Sequence, residues 1–133
     1  MIPANQLQIG NWVLVNGKEI EIFSMAPATD GNTYGFNLFE GGMPEFYDYD
    51  CEPIPLTPEI LKKCGFEKKS PHCWWEINRD FKGENDFDLD TNFIPHINNE
   101  YSVGIKIEFL HQLQNKYFSW YGEGLEIKEN ATL

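Results

Sequence analysis

The segment "PIPLTPEILKKCGF", Pro53 to Phe66, constrains the architecture more than any other part of the chain. Pro53 and Pro55 hold the backbone extended, so the segment is a stiff connector. Thr57 can cap a helix, and Pro58 suits the first helical position, where no amide donor is needed. Glu59 matches the positive end of that helix, Lys62 and Lys63 its negative end, and Gly65 the left-handed stop. A short helix over about 57–64 is predicted, with Ile60, Leu61 and Cys64 as a narrow apolar stripe. It separates residues 1–55 from residues 56–133, two lobes that are expected to form one compact unit.

Before the connector the chain reads as short strands. Asn16-Gly17 stands between apolar runs and tolerates the positive φ angles of a type I′ hairpin turn. Ile20 and Ile22 alternate with glutamates, and the phase slips at Phe23, so a bulge or bend is expected there. Tyr34, Phe36 and Leu38 share one parity, as do Tyr47, Tyr49 and Cys51, the latter opposed by Asp48, Asp50 and Glu52. So many short strands in so few residues predict a small β-barrel-like lobe, because closure removes exposed edges. Beyond the connector, "FEKK", "CWWEIN", "FDLDTNF" and "EYSVGI" predict an antiparallel sheet, and "LEIK" a further extended piece. The fold class expected is α+β: the barrel-like lobe packed on a C-terminal antiparallel sheet with two helices, over about 57–64 and 107–121.

The second helix contains "FLHQLQNKYFSWYGEGLEI". At about 100° per residue, Phe109, Leu110, Leu113, Tyr117, Trp120 and Tyr121 fall within roughly 120° and form a buried face. Gln112, Asn115, Lys116 and Ser119 occupy the solvent side. His111, Gln114 and Phe118 fall at the border, where a ligand can reach them together, or where the two polar side chains satisfy backbone groups. Gly122 supplies the stop.

The net charge of −11 accompanies 41% hydrophobic and 15% aromatic residues, so the charge sits on a folded protein. An acidic surface repels phosphate backbones and anionic lipid, which disfavours direct nucleic-acid binding and favours a protein partner. No segment has the length and apolarity of a membrane span, and the start carries no export signal, so a cytoplasmic location is expected. Three cysteines, Cys51, Cys64 and Cys73, fit buried apolar positions better than a disulfide framework.

Motifs that carry chemistry are weak. Asp86, Asp88 and Asp90 occupy the first, third and fifth places of a calcium loop, but Thr91 replaces the turn glycine and Ile97 the closing carboxylate. They are expected to form a solvated strand face. His72 beside Cys73 has no paired ligand motif, and no phosphate loop, nucleophile elbow or dinucleotide fingerprint occurs. Neither a metal nor a cofactor is expected. Of the adjacent tryptophans, Trp75 is expected inward, with Trp74 over the outer face as a cover or a ligand-stacking platform.

Three blocks in fixed order, "LQIGNWV", "PIPLTPEILKKCGF" and "HQLQNKYF…GEGLEI", resemble a family of small proteins of gut-type Bacteroidota and their phages or prophages. That family brings no assigned activity, so no residue role follows from it. The first block also resembles small barrels of the Src-homology-three kind. The function expected is a non-enzymatic, phage- or mobile-element-type binding module with an acidic surface bearing Asp48, Asp50, Asp86, Asp88 and Asp90, one form being a DNA-mimicking inhibitor. The alternative is a small-ligand or nucleotide binder that uses Trp74, His111, Gln114 and Phe118 in a pocket between the lobes.

Overall fold

A computed structural model describes residues 1–68, 70–71, 73–77, 87–97, 101–102 and 104–127. Asp86 and His72, and the parts of the expected strands at Lys69, Asn78, Glu100, Val103 and Lys128, lie outside the described residues. The chain is α+β, with three small antiparallel sheets and two α-helices among the described residues. It divides into two compact units, Met1–Pro55 with Phe109–Asn115, and Leu56–Glu108 with Lys116–Leu133. No described helix is long and apolar enough to cross a membrane.

In the first unit, β1 (Trp12–Val15) and β2 (Lys18–Glu21) form the expected hairpin, in register from Trp12↔Glu21 to Val15↔Lys18. Asn16 and Gly17 take φ of 51° and 77°, the two positive angles that a type I′ turn requires. A short β6 (Cys51–Glu52) pairs with the other edge of β1 at Val15 and Leu14. The second sheet is β3 (Met25–Pro27), β4 (Tyr34–Leu38) and β5 (Pro44–Tyr47), with β4 in the middle. The two sheets remain separate ladders and do not close into a barrel. Their core contains Ile2, Leu7, Val13, Val15, Ile22, Phe36, Phe46 and Cys51. Phe36 and Phe46 are cross-strand partners whose rings stack 5.5 Å apart. Burial of each such ring contributes about 1.5–3 kcal/mol.

The bend expected near Phe23 lies between β2 and β3. Asn37 braces it from β4. Asn37 is buried with φ of 54°, a left-handed conformation that asparagine tolerates, and its side chain spans the bend. Its Nδ2 donates to the Glu21 carbonyl at 2.9 Å, and its Oδ1 accepts from the Phe23 amide at 2.8 Å. The same residue interrupts the expected shared face of Tyr34, Phe36 and Leu38: Phe36 is fully buried, Leu38 half-buried and Tyr34 exposed.

The run "FYDYDCE" is not one strand. A 3-10 turn at Asp48–Asp50 separates β5 from β6. Aspartate side chains compete with ladder pairing by bonding nearby backbone. Asp50 accepts the Tyr47 amide at 2.9 Å, and Asp48 accepts the Tyr49 amide at 3.0 Å.

In the second unit, α1 (Pro58–Lys63) begins as the sequence predicts: Thr57 Oγ1 accepts the Ile60 amide at 3.3 Å. The helix ends before Gly65, which takes φ of 92°. A five-stranded antiparallel sheet follows, ordered β11 (Tyr101–Ser102), β10 (Pro95–Ile97), β9 (Phe87–Leu89), β8 (Trp75–Ile77), β7 (Phe66–Glu67). Strand β10 is an addition to the expected set. "FDLDTNF" stops as a strand at Leu89 because Asp90 turns the chain: its carboxylate accepts the amides of Asn92 and Ile94. Leu125–Ile127 is not a strand, although Leu125 is buried. Helix α2 (Leu110–Tyr121) contributes Tyr117 and Tyr121 to this unit, both edge-on to Phe87 at about 6.5 Å.

Candidate functional site

The polar run on α2 is the first candidate, and its residues to Asn115 belong to the first unit. Strand β1 is paired by β6 only at Leu14 and Val15, so its edge from Gly10 to Trp12 needs other partners. Gln114 supplies them. Its Oε1 accepts the Trp12 amide at 2.9 Å and its Nε2 donates to the Gly10 carbonyl at 2.8 Å. A primary amide carries one acceptor and donors in the arrangement of a peptide unit, and here it pairs with the strand edge as another strand would.

Asn115 extends this arrangement. Its Oδ1 accepts from Asn11 Nδ2 at 2.8 Å, and its Nδ2 donates to the Gln6 carbonyl at 2.7 Å. Buried Asn11 in turn accepts the Gln8 amide at 2.7 Å. Asn115 therefore leaves the solvent side on which helical angle alone places it. Gln112 Oε1 accepts the Phe109 amide at 3.1 Å, a reciprocal cap at the start of the helix.

His111 differs from these neighbours. It is 2% exposed, and neither ring nitrogen has a hydrogen-bond partner among the described residues. Its ring lies parallel to that of Phe109 at 6.0 Å. Burial pushes its pKa below the ordinary value, so the ring is held as neutral imidazole. Phe118 is exposed and belongs to the second unit, as does Trp74. The set of border residues is thus divided: Gln114 is a strand-edge cap, His111 a buried neutral ring and Phe118 a surface residue.

The second candidate is Asp90, His96 and Trp74, all in the second unit. Asp90 Oδ2 lies 2.9 Å from His96 Nε2, and the Trp74 ring sits 4.3 Å from the imidazole. Burial raises the Asp90 pKa, but the bond to His96 and the amides of Ile94 and Asn92 outweigh it and hold the carboxyl below its usual value. An ionised carboxylate only accepts, so Nε2 donates to Asp90. His96 Nδ1 is buried and has no hydrogen-bond partner among the described residues. The arrangement resembles the orienting half of an acid–base pair, yet its other nitrogen is shut away from a substrate. Trp75 is buried, with Lys68 Nζ 5.1 Å from its ring centre.

The acidic residues named from the sequence do not form a solvated set. Asp48 and Asp88 are 8% and 3% exposed. Asp88 is buried because β9 is the central strand of its sheet and all three of its residues are covered. Asp90 is committed to its turn and to His96, and Asp50 to the Tyr47 amide. The exposed carboxylates of the first unit are instead Glu21, Asp30, Glu40, Glu45 and Glu52. Alternation misplaced Asp88 because it presumes one wet face, and the short central strand has none, whereas Asp48, Asp50 and Asp90 lie in turns, where alternation does not apply.

Cys51 and Cys64 are pushed up to about 12, by burial in both cases and at Cys51 also by Asp50 and Asp48. Both stay as thiols and offer no nucleophile. Compared with protein-family models, curated proteins and solved structures, the chain matches none.

Proposed function

We propose that the protein acts by binding another protein, through the acidic surface of its first unit, rather than by chemistry of its own. The observation that carries this reading is the distribution of charge. Residues 1–55 and 109–115 hold eight carboxylates against one lysine, Lys18, a formal charge of −7 out of −11 for the whole chain. From Glu19 to Leu61 there is no lysine or arginine. Such a field attracts cationic surfaces and speeds their encounter, while it repels nucleic acid and anionic lipid.

A DNA-mimicking inhibitor is one form of this function. Its charged face would be supplied by the exposed glutamates and not by Asp48 or Asp88. The resemblance to phage and prophage proteins makes a host or viral protein the natural partner.

The test is capture on the immobilised full chain, followed by salt elution. A partner held by this charge is released as NaCl rises past about 0.15 M, where screening acts within about 8 Å. It is also lost from a variant carrying Glu21→Gln, Glu40→Gln and Glu45→Gln. Retention that is indifferent to salt and to these substitutions would overturn the reading.

A further inference from the structure

Among the exposed large apolar side chains of the first unit are Ile9 at 64%, Phe23 at 60%, Phe39 at 59% and Met43 at 66%. Single exposed apolar residues are ordinary, but these four are brought together by the topology. Strands β3, β4 and β5 are successively antiparallel, so the start of β3, the end of β4 and the start of β5 lie at one end of the sheet. Phe23 shortly precedes β3, Phe39 follows β4 and Met43 precedes β5. Ile9 joins them through the backbone: the Gly10 amide donates to the Ile22 carbonyl at 2.7 Å, so the chain at Ile9–Gly10 runs against the chain at Ile22–Phe23.

The backbone that presents these residues is fixed. Phe39 donates its amide to the Met43 carbonyl at 2.8 Å across a loop in which Gly41 and Gly42 take φ of 87° and 81°. Phe23 is held by the hydrogen bond from its amide to Asn37 Oδ1. Gly10, at φ of 98°, and Asn11 together oppose Ile22, a bulge of the kind that re-aims a strand. Exposed Glu21, Glu40 and Glu45 are close in sequence to these apolar residues.

We propose that Ile9, Phe23, Phe39 and Met43 form the apolar centre, and Glu21, Glu40 and Glu45 the charged rim, of a docking surface for a basic amphipathic protein segment. This rests on the protein-binding reading above and gives it a location and a partner chemistry. An apolar centre with a polar rim is the usual anatomy of a protein interface. Charge decides the occupant. A second copy would set −7 against −7, and an anionic membrane would meet the same repulsion, whereas a segment that interleaves Lys or Arg with Leu, Ile or Phe satisfies both parts.

Two probes separate the contributions: a synthetic amphipathic helix of leucine and lysine, and a polylysine of equal charge, each titrated calorimetrically against the full chain. The expected result is that the amphipathic helix binds about tenfold more tightly than polylysine. In a Phe39→Ser, Met43→Ser variant that advantage is lost while polylysine affinity stays unchanged. Both sites are exposed, and urea unfolding of the variant confirms that its fold is retained. Undiminished affinity of the variant for the amphipathic helix would overturn the location and leave the acidic-surface reading standing. Failure of both probes to bind at low salt would overturn the two together. A dimer in sedimentation that the substitutions abolish would overturn the choice of partner and assign the surface to a second copy.

Discussion

His111 is a titratable group enclosed in the first unit without a hydrogen-bond partner among the described residues, and that has a consequence for stability. The unfolded chain takes up a proton near the ordinary value of 6.5, but the folded chain does so only at lower pH, because burial penalises the imidazolium. Below about 6.5 the unfolded state therefore binds more protons than the folded state. The contribution of His111 to stability is complete above that pH and is lost as pH falls through the depressed folded value. Urea unfolding at about pH 7.5 and about pH 5.5 is expected to show a loss of stability that is smaller in a His111→Leu variant. Equal losses in the two proteins would mean that the ring titrates freely in the fold.

Among the elements, α2 serves as a strand-edge partner as well as a packed helix. Gln114→Ala removes the group that pairs both the Trp12 amide and the Gly10 carbonyl. Leaving two such groups unsatisfied costs about 2–6 kcal/mol. The variant is expected to lose stability in that range by urea unfolding, and the Trp12 amide to exchange faster with deuterium. A loss no larger than that of an exposed substitution would show that water replaces the side chain without penalty. At α1 the same logic is local. Thr57, Pro58 and Gly65 each act on the backbone within a few residues, which is why this helix is readable from its own text.

At the scale of the whole molecule, charge opposes compaction. A formal −11, with −7 in the first unit, repels itself most strongly when screening is weak. The thermal midpoint is expected to rise as NaCl increases from about 0.01 M to about 0.15 M, over which the screening length shortens from about 30 Å to about 8 Å. A midpoint that stays level would mean that local pairs already offset the repulsion. In the proposed function the same charge would favour cationic surfaces over polyanions.

The sequence by itself determined the features that depend on near neighbours. These are the Asn16-Gly17 hairpin, the start and stop of α1, the α+β class and the acidic balance. Each rests on backbone preference, short-range capping or simple count, and none needs a distant residue. Tertiary structure alone decided the roles of the polar residues. Helical angle put Gln114 and His111 at the same border, but only the placement of β1 makes one a hydrogen-bonded edge cap and leaves the other a neutral ring without a hydrogen-bond partner among the described residues. Strand alternation put Asp88 in water, whereas its position in the middle of a five-stranded sheet buries it. The exposed group at Ile9, Phe23, Phe39 and Met43 was likewise invisible, because apolar spacing along a chain reports which residues can share a face and not which face remains uncovered.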